Sequence, residues 1–125
     1  MRYTGRHIRF STDIKNDSEI PVDIFTTVVE NLLDNARNKR IREPELTIAV
    51  TLSKSEQCLK LSVTDTGSAI DPVISQQLFK DVVSSQDGFG IGLYQSAELA
   101  HNHGFTLSIE HNVAGNVCFS LQQRS

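Results

Sequence analysis

Apolar residues recur at regular spacing along most of the chain, and the spacing predicts three helices. The first begins beside Pro21, where a missing N–H costs nothing, and carries an apolar stripe at helical spacing: Val22, Phe25, Val29, Leu32 and Ala36. A short second helix runs from Asp71-Pro72 through Phe79. The third begins at Gly92 and ends at Gly104, a residue typical of the position after a helix.

Period-two alternation predicts five strands between and beside these helices. They cover His7 to Thr12, Leu46 to Leu52, Leu59 to Val63, Phe105 to Ile109, and Val117 to Leu121, the last two joined by a turn over Asn112 to Asn116. The order is strand, helix, two strands, short helix, helix, two strands. It predicts an α+β fold, a two-layer α/β sandwich in which helices cover one face of a mixed, mostly antiparallel sheet.

Length and composition limit the classes of function. With 125 residues, 38% of them hydrophobic, residues 1–125 form one domain, which we expect to be a fragment of a longer protein. A net charge of −3 disfavours binding to nucleic acid. Cys58 and Cys118 fall in predicted strands without metal-ligand spacing, which predicts buried thiols in a reducing compartment. No apolar run is long enough to span a membrane, and we expect a cytoplasmic location.

Three asparagines form a row on the first helix. Asn31, Asn35 and Asn38 stand at positions i, i+4 and i+7, and we place them roughly opposite the apolar stripe on the helical wheel. Asparagine is a poor residue for a helix interior because its amide competes for backbone hydrogen bonds. The row therefore indicates a functional role.

Asp65 continues the phase of the buried positions Leu61 and Val63, so its carboxylate is predicted to point inward. Burying a charge is costly unless it has a hydrogen-bond partner, which can be backbone or ligand. The alternative is a turn-forming residue that leads from the strand into Thr66-Gly67.

Three glycines at alternate positions, Gly88, Gly90 and Gly92, precede the third helix. Glycines let backbone N–H groups face a ligand, and the first turn of a helix adds unpaired N–H groups, so the pattern predicts a site for a phosphate chain. The alternative is a tight turn alone. A dinucleotide-binding fingerprint would need glycine at Leu93, and a Walker loop would need lysine there.

One ligand accounts for all three features: a purine nucleotide with a divalent cation. An aspartate accepts a hydrogen bond from the exocyclic amine of adenine, and the glycine after it permits close approach of the base. Amide oxygens suit Mg²⁺, which keeps several waters and bridges phosphates.

These residues resemble the ATP-binding catalytic domain of sensor histidine kinases, within the Bergerat-fold (GHKL) ATPases. The resemblance covers nearly the whole chain through four boxes: Asn31-Leu-Leu-Asp-Asn35-Ala36, Asp65-Thr-Gly67-Ser-Ala69, Leu78-Phe79, and Gly88-Phe-Gly90-Ile91-Gly92-Leu93. It implies ATP and Mg²⁺ as cofactors, with Asn35 as metal ligand and Asn31 assisting at the metal and phosphates. Asp65 would hold adenine, and the remaining box residues Gly67, Ala69, Phe79, Gly88, Gly90, Ile91, Gly92 and Leu93 would line the nucleotide site.

The resemblance also implies partners. They are a phosphoacceptor histidine domain, in the same full-length chain or in a dimer partner, and a response regulator. Direct contact of this domain with a membrane is not expected. None of the four histidines has the acidic, proline-containing context of a phosphoacceptor, and we expect surface positions for His101 and His103.

One position separates the relatives. DNA gyrase, the heat-shock chaperones and the anti-sigma serine kinases carry a glutamate four residues before the metal asparagine, where this chain has Asn31. Water or serine then lacks its general base, whereas an imidazole nucleophile already has a lone pair, which favours histidine as acceptor over an ATP-hydrolysing clamp. Glu30 is a candidate to orient the incoming histidine, with a solvated helix glutamate as the alternative.

Several positions depart from the family pattern. Asn38 stands where many relatives have lysine, so phosphate neutralisation would shift to a neighbour such as Lys39. Ala69 replaces a glycine. The nucleotide lid is only Lys80 to Asp87, and its Ser84-Ser85-Gln86 lacks the lysine of the Thr-Thr-Lys segment in short-lid relatives. A nucleotide-binding or docking module with weak or no phosphotransfer is therefore the alternative to a kinase.

Overall fold

The structure is a computed structural model, and it describes residues 8–12, 22–55, 58–77 and 92–124. The elements in chain order are β1 (Ile8–Thr12), α1 (Val22–Arg42), β2 (Ile48–Ser55), β3 (Cys58–Asp65), α2 (Pro72–Gln77), α3 (Gly92–Asn102), β4 (Phe105–Val113) and β5 (Asn116–Gln123). Every helix and strand expected from the sequence is present. The predicted ends at His7 and Phe79 lie outside the described residues.

The five strands form one mixed sheet in the order β1-β2-β3-β5-β4. β1 runs parallel to β2, and the other neighbouring pairs are antiparallel. The strand that carries Asp65 therefore lies at the centre of the sheet. The predicted α+β class and the mostly antiparallel sheet are confirmed.

One face of the sheet is apolar and carries the helices. Val63 lies opposite Val50 on β2 and Phe119 on β5, and directly opposite residues share a face. α1 and α3 pack against each other and over this face, with the rings of Phe25 and Phe105 in edge-to-face contact at 5.4 Å. The other face is mostly polar and carries the Lys60–Glu110 ion pair.

The buried stripe of α1 differs from the predicted one. It consists of Ile24, Phe25, Val28, Leu32, Leu33 and Ala36, whereas Val29 is only half-buried. The prediction that the asparagines lie opposite the stripe was wrong. Asn31 and Asn35 are half-buried and lie on the same side as Ile24, because they follow it by about two and about three whole turns of the helix. Asn38 is exposed.

Some element boundaries also differ. β2 begins at Ile48, although Leu46 in the preceding loop is buried. The last hairpin turns over Ala114-Gly115 alone, where Gly115 has a φ of 87°. Gly104 has a φ of 85° and follows α3, as predicted for the residue after a helix.

Cys58 is the one exception among the burial predictions made for the two cysteines and for His101 and His103. Cys118 is buried as predicted, but Cys58 is only half-buried, and both are free. His101 and His103 are exposed, as expected. None of the helices within the described segments combines the length and apolar character that crossing a bilayer requires.

Candidate functional site

The carboxylate of Asp65 points toward the helix-covered face, as the phase of β3 predicts. The residue is 5% exposed and lies opposite Ile48 and Val117. The Gly67 N–H donates to its Oδ1 at 2.9 Å, so Asp65 also forms the turn at the end of the strand. Both interpretations offered for Asp65 are therefore correct, and together they hold the carboxylate in one orientation.

Lys39 supplies the second partner of Asp65. Its Nζ lies 2.9 Å from the same Oδ1 and also donates to the Ser68 carbonyl oxygen. The two charged side chains are only 14% and 7% exposed, so the pair is largely withdrawn from water. Lys39 was predicted to neutralise phosphate, whereas in the structure its ammonium pairs with the Asp65 carboxylate. Spacing in the sequence could have indicated that Lys39 lies on the site side of α1, because it is one turn beyond Asn35.

The space around Gly67 is too tight for a side chain unless its neighbours shift. A Cβ at this position would lie 2.9 Å from Cε of Lys39, 3.0 Å from Cδ2 of Leu46 and 3.1 Å from Oδ1 of Asp65. Contacts that short force neighbouring atoms to move. The glycine predicted for close approach of a base thus also makes room for the Lys39–Asp65 pair.

Two side chains that the sequence did not single out hold the Asp65 loop, defined here as residues 65–70. The Glu43 carboxylate accepts from the backbone N–H of Ser68 at 2.8 Å and from its hydroxyl at 2.7 Å. These bonds, the Ser68 hydroxyl foremost, lower the pKa of Glu43, with the nearby charges of Lys39 and Arg42 acting in the same direction against the effect of burial. Glu43 is therefore held as a carboxylate at neutral pH.

Asn112 holds the other end of the Asp65 loop. Its Oδ1 accepts from the Ile70 N–H at 2.7 Å, and its Nδ2 donates to the Ile70 carbonyl oxygen at 2.9 Å. A β-bulge between Ile109 and His111 makes this possible, because the extra residue brings Asn112 opposite Val117, on the face shared with Asp65. The alternation of residues in β4 does not reveal the bulge, so this contact could not be predicted from the sequence.

The predicted metal asparagine has an unsatisfied amide. Asn35 is half-buried, its Nδ2 is enclosed, and that nitrogen has no hydrogen-bond partner among the described residues. Native proteins rarely leave a buried amide nitrogen unpaired, so this N–H group is available to an acceptor beyond the described residues. One turn earlier, Nδ2 of Asn31 donates to the Ser96 hydroxyl at 2.6 Å and so ties α1 to α3.

The donor set fits Mg²⁺ held mainly by a ligand's phosphates. Within residues 8–12, 22–55, 58–77 and 92–124, no three His, Cys, Asp or Glu side chains cluster in a way that could hold a metal by themselves. Mg²⁺ needs no such cluster, because it retains waters and takes few protein oxygens when it is bound with a nucleotide. Amide oxygens of Asn35 and Asn31 are the candidates for that small contribution.

The phosphate side of the predicted site lies mostly outside the described residues. This applies to Phe79, Gly88, Gly90 and Ile91, and to the lid Lys80–Asp87. Gly92 is the first residue of α3, and Leu93 after it is fully buried. Ala69, in the Asp65 loop, is exposed. The structure therefore brings together Asn31, Asn35, Lys39, Asp65 and Gly67, and leaves the anion loop as a prediction.

An open cleft of about 560 Å³ borders this group. It is lined by the α1–β2 loop and the start of the Asp65 loop, namely Glu43, Pro44, Glu45, Leu46, Thr66 and Gly67. Neither Asp65 nor Lys39 lines it. The cleft therefore adjoins the predicted base site, and Gly67 belongs to both.

Sequence comparison relates the chain to sensor kinases. It is 28% identical over 101 residues to the sensor histidine kinase CitA of Klebsiella pneumoniae, a match that covers 78% of this chain and 18% of CitA. It is 32% identical over 112 residues to the adaptive-response sensory kinase SasA of Synechococcus elongatus, covering 82% of this chain and 28% of SasA. The chain thus spans less than a third of the length of these two curated relatives.

Structural comparison gives the same fold. The catalytic domain of histidine kinase ThkA superposes with a TM-score of 0.75 at 20% identity, over 94% of this chain and 77% of that one. ThkA in complex with the response regulator TrrA superposes with a TM-score of 0.70 at 19% identity, over 93% of this chain and 33% of that one. Residues 21–124 match the family described as histidine kinase-, DNA gyrase B- and HSP90-like ATPases. The chain belongs to this ATPase family.

Proposed function

We propose that this domain binds ATP with Mg²⁺ and transfers the γ-phosphoryl group to a histidine on a separate dimerisation and phosphoacceptor domain, as part of two-component signal transduction. The observation that carries the proposal is the unpartnered, buried amide of Asn35 beside the Lys39–Asp65 pair. A nucleotide oxygen would supply the missing acceptor for this amide nitrogen, and the amide oxygen would be the atom available to Mg²⁺. Family membership and the sensor kinases among the relatives support the same assignment.

Each group in the site has a role in the proposal. Asp65 accepts the exocyclic amine of the base, and Gly67 leaves room for the ring. Asn35 and Asn31 would hold Mg²⁺, which supplies neutralisation of phosphate charge during transfer. Asn31 has a further task, since its bond to Ser96 fixes the beginning of α3 against α1 and thereby the position where the glycine segment joins the helix.

The acceptor is proposed to be histidine because the position of the usual general base is Asn31. A carboxamide cannot remove a proton from water or serine, whereas a neutral imidazole nitrogen attacks phosphorus without prior deprotonation. The complex of ThkA with TrrA is of a histidine kinase with a response regulator. We extend that partnership to the present domain as part of the proposal, with the location in the cytoplasm.

The second candidate is a nucleotide-binding or docking module without transfer. Lys39 favours it, because its ammonium is engaged by Asp65 and Ser68, while Asn38 carries no charge. Neither position then presents the cation that phosphoryl transfer generally uses.

The deciding experiment combines the domain with γ-labelled ATP, Mg²⁺ and a helix pair that carries a candidate acceptor histidine. A kinase transfers label to the helix pair in an acid-labile, base-stable form, and an acceptor variant with His replaced by Gln remains unlabelled. Binding of ATP without transfer to any acceptor from the chain's own full-length protein supports the second candidate. Absence of nucleotide binding contradicts both.

A further inference from the structure

We propose that Lys39 is a second base-reading residue and that, with Asp65, it gives the site the capacity to bind guanine as well as adenine nucleotides. The proposal rests on the nucleotide-binding function proposed above and specifies its substrate class. It starts from a feature of this chain's own geometry, a lysine ammonium placed directly on the carboxylate that is expected to read the base.

The two groups leave one acceptor and one donor side by side. The Gly67 N–H and the Lys39 ammonium both donate to Oδ1 of Asp65. None of the described residues donates a hydrogen bond to Oδ2. The ammonium carries three N–H groups, of which two are taken by Asp65 and the Ser68 carbonyl oxygen. Among the described residues, Oδ2 and the third N–H therefore have no partner, and we assign them to the ligand.

This pairing matches both purines. Adenine offers an amine donor at position 6 and an acceptor at N1, so the amine would bond to Oδ2 and N1 would accept from Lys39. Guanine offers the reverse order, a carbonyl acceptor at position 6 and a donor at N1. An isolated carboxylate would repel that carbonyl, whereas an adjacent ammonium donates to it.

Because the Lys39 and Asp65 side chains are buried, we expect a measurable effect of Lys39 on the relative affinity for adenine and guanine nucleotides. The two side chains are only 14% and 7% exposed, so water cannot easily replace a missing partner. A site that leaves a buried polar group unpaired rejects the wrong ligand strongly. Removing the ammonium should therefore turn a site that tolerates both purines into one that prefers adenine.

The test measures the dissociation constants of Mg²⁺ complexes of non-hydrolysable ATP and GTP analogues by calorimetry. For the unmodified domain we expect the two constants to agree within about tenfold, and Lys39→Met to widen their ratio by about tenfold or more in favour of the ATP analogue. Lys60→Met is the matched control, because it removes a lysine from another ion pair, with Glu110 on the opposite face of the sheet. It should leave the ratio unchanged.

Base analogues test the same proposal without a substitution and so do not depend on the stability of the variant. The triphosphate of inosine keeps the carbonyl at position 6 and should bind like the GTP analogue. Purine riboside triphosphate has only hydrogen there and should bind more weakly than either.

Three results would overturn the inference. The first is that the ATP analogue binds but the ratio of the two dissociation constants is unchanged by Lys39→Met. The second is that purine riboside triphosphate binds as tightly as inosine triphosphate. Both results leave the proposed function standing. If neither purine nucleotide binds the unmodified domain, the proposed function fails together with the inference.

Discussion

Asn112 binds both backbone polar groups of Ile70, with the N–H donating to its Oδ1 at 2.7 Å and its Nδ2 donating to the carbonyl oxygen at 2.9 Å. A strand of the last hairpin is thereby joined to the loop that follows Asp65. The contact spans 42 residues of sequence, and no backbone ladder duplicates it at Ile70.

Asn112→Ala should loosen the Asp65 loop. It removes two hydrogen bonds and leaves a partly buried N–H of Ile70 without that partner, which costs about 1–3 kcal/mol of unfolding free energy. Nucleotide affinity, measured by calorimetry, should fall as well because Gly67 lies in the same loop. Ser108→Ala, on the outer face of β4, is the control. Unchanged nucleotide affinity in Asn112→Ala would mean that the Asp65 loop keeps its shape without the two hydrogen bonds to Ile70.

Asp65→Asn should lower both nucleotide affinity and stability. We expect affinity to fall at least tenfold, roughly 1.4 kcal/mol, because the amide no longer offers a charged acceptor to the base. Stability should fall by a fraction of the ~3–5 kcal/mol that breaking a fully buried ion pair costs, since Lys39 loses its counter-charge.

A double variant separates the two effects of Asp65. Asp65→Asn with Lys39→Met removes both charges and should regain most of the stability in urea unfolding while the affinity stays low. Recovery of affinity along with stability would show that Asp65 supports the fold alone.

Gly67→Ala should disturb the same pair by steric contact. The new methyl group would lie 2.9 Å from Cε of Lys39 and 3.1 Å from Oδ1 of Asp65, and overpacking of this kind costs about 1–3 kcal/mol. Thermal unfolding and nucleotide titration should both report the change. Gly104→Ala is the matched control: its methyl group meets no atom within 4 Å, but its φ of 85° makes alanine unfavourable. It should lower stability and leave affinity as it was.

Asn35→Asp should weaken nucleotide binding at least tenfold, about 1.4 kcal/mol, while the fold remains intact. The carboxylate alters the charge at the proposed metal position and replaces the enclosed amide nitrogen with an oxygen that accepts hydrogen bonds only. Calorimetric titration of an ATP analogue with and without Mg²⁺ measures the effect. Asn102→Asp, an exposed residue at the end of α3, makes the same charge change away from the site. Equal affinities for all three proteins would remove Asn35 from the metal site.

Acid should destabilise the domain partly through Glu43. The bonds from Ser68 lower the pKa of this carboxyl in the folded state below its ordinary value of 4.5, so the unfolded chain takes up the proton more readily. The stabilising contribution is complete above pH 4.5 and is lost as the pH falls through the lowered pKa of the folded state. Urea unfolding at a series of pH values from 7 to 3 should give a shallower acid loss for Glu43→Gln than for Glu45→Gln, an exposed neighbour. Parallel profiles for the two variants would contradict this role.

The sequence predicts those parts of the molecule that depend on local periodicity. Alternation along β3 fixed the inward direction of Asp65, and it did so because the residue continues a strand that is buried on one face. The helical stripe was displaced at Val29, since a helix packed against both a sheet and a second helix buries a wider arc than a single stripe.

The contacts that the sequence did not reveal depend on register and reach. Asn112 arrives beside Ile70 only because one extra residue in β4 shifts every side chain after it to the other face. Lys39 reaches Asp65 across 26 residues through a flexible four-carbon stem, and spacing on α1 gives the direction of that stem but not its endpoint. Both are tertiary contacts that leave no pattern in the local sequence.

The position of β5 between β3 and β4 constrains when the sheet can be completed during synthesis. Until residues 116–123 leave the ribosome, β3 has an unpaired edge, and Asn112 has no neighbouring strand to hold it beside Ile70. A nascent chain that stops before this hairpin therefore presents an aggregation-prone edge rather than part of the proposed nucleotide site. Completion of the sheet and assembly of the proposed site depend on the same late segment of the chain.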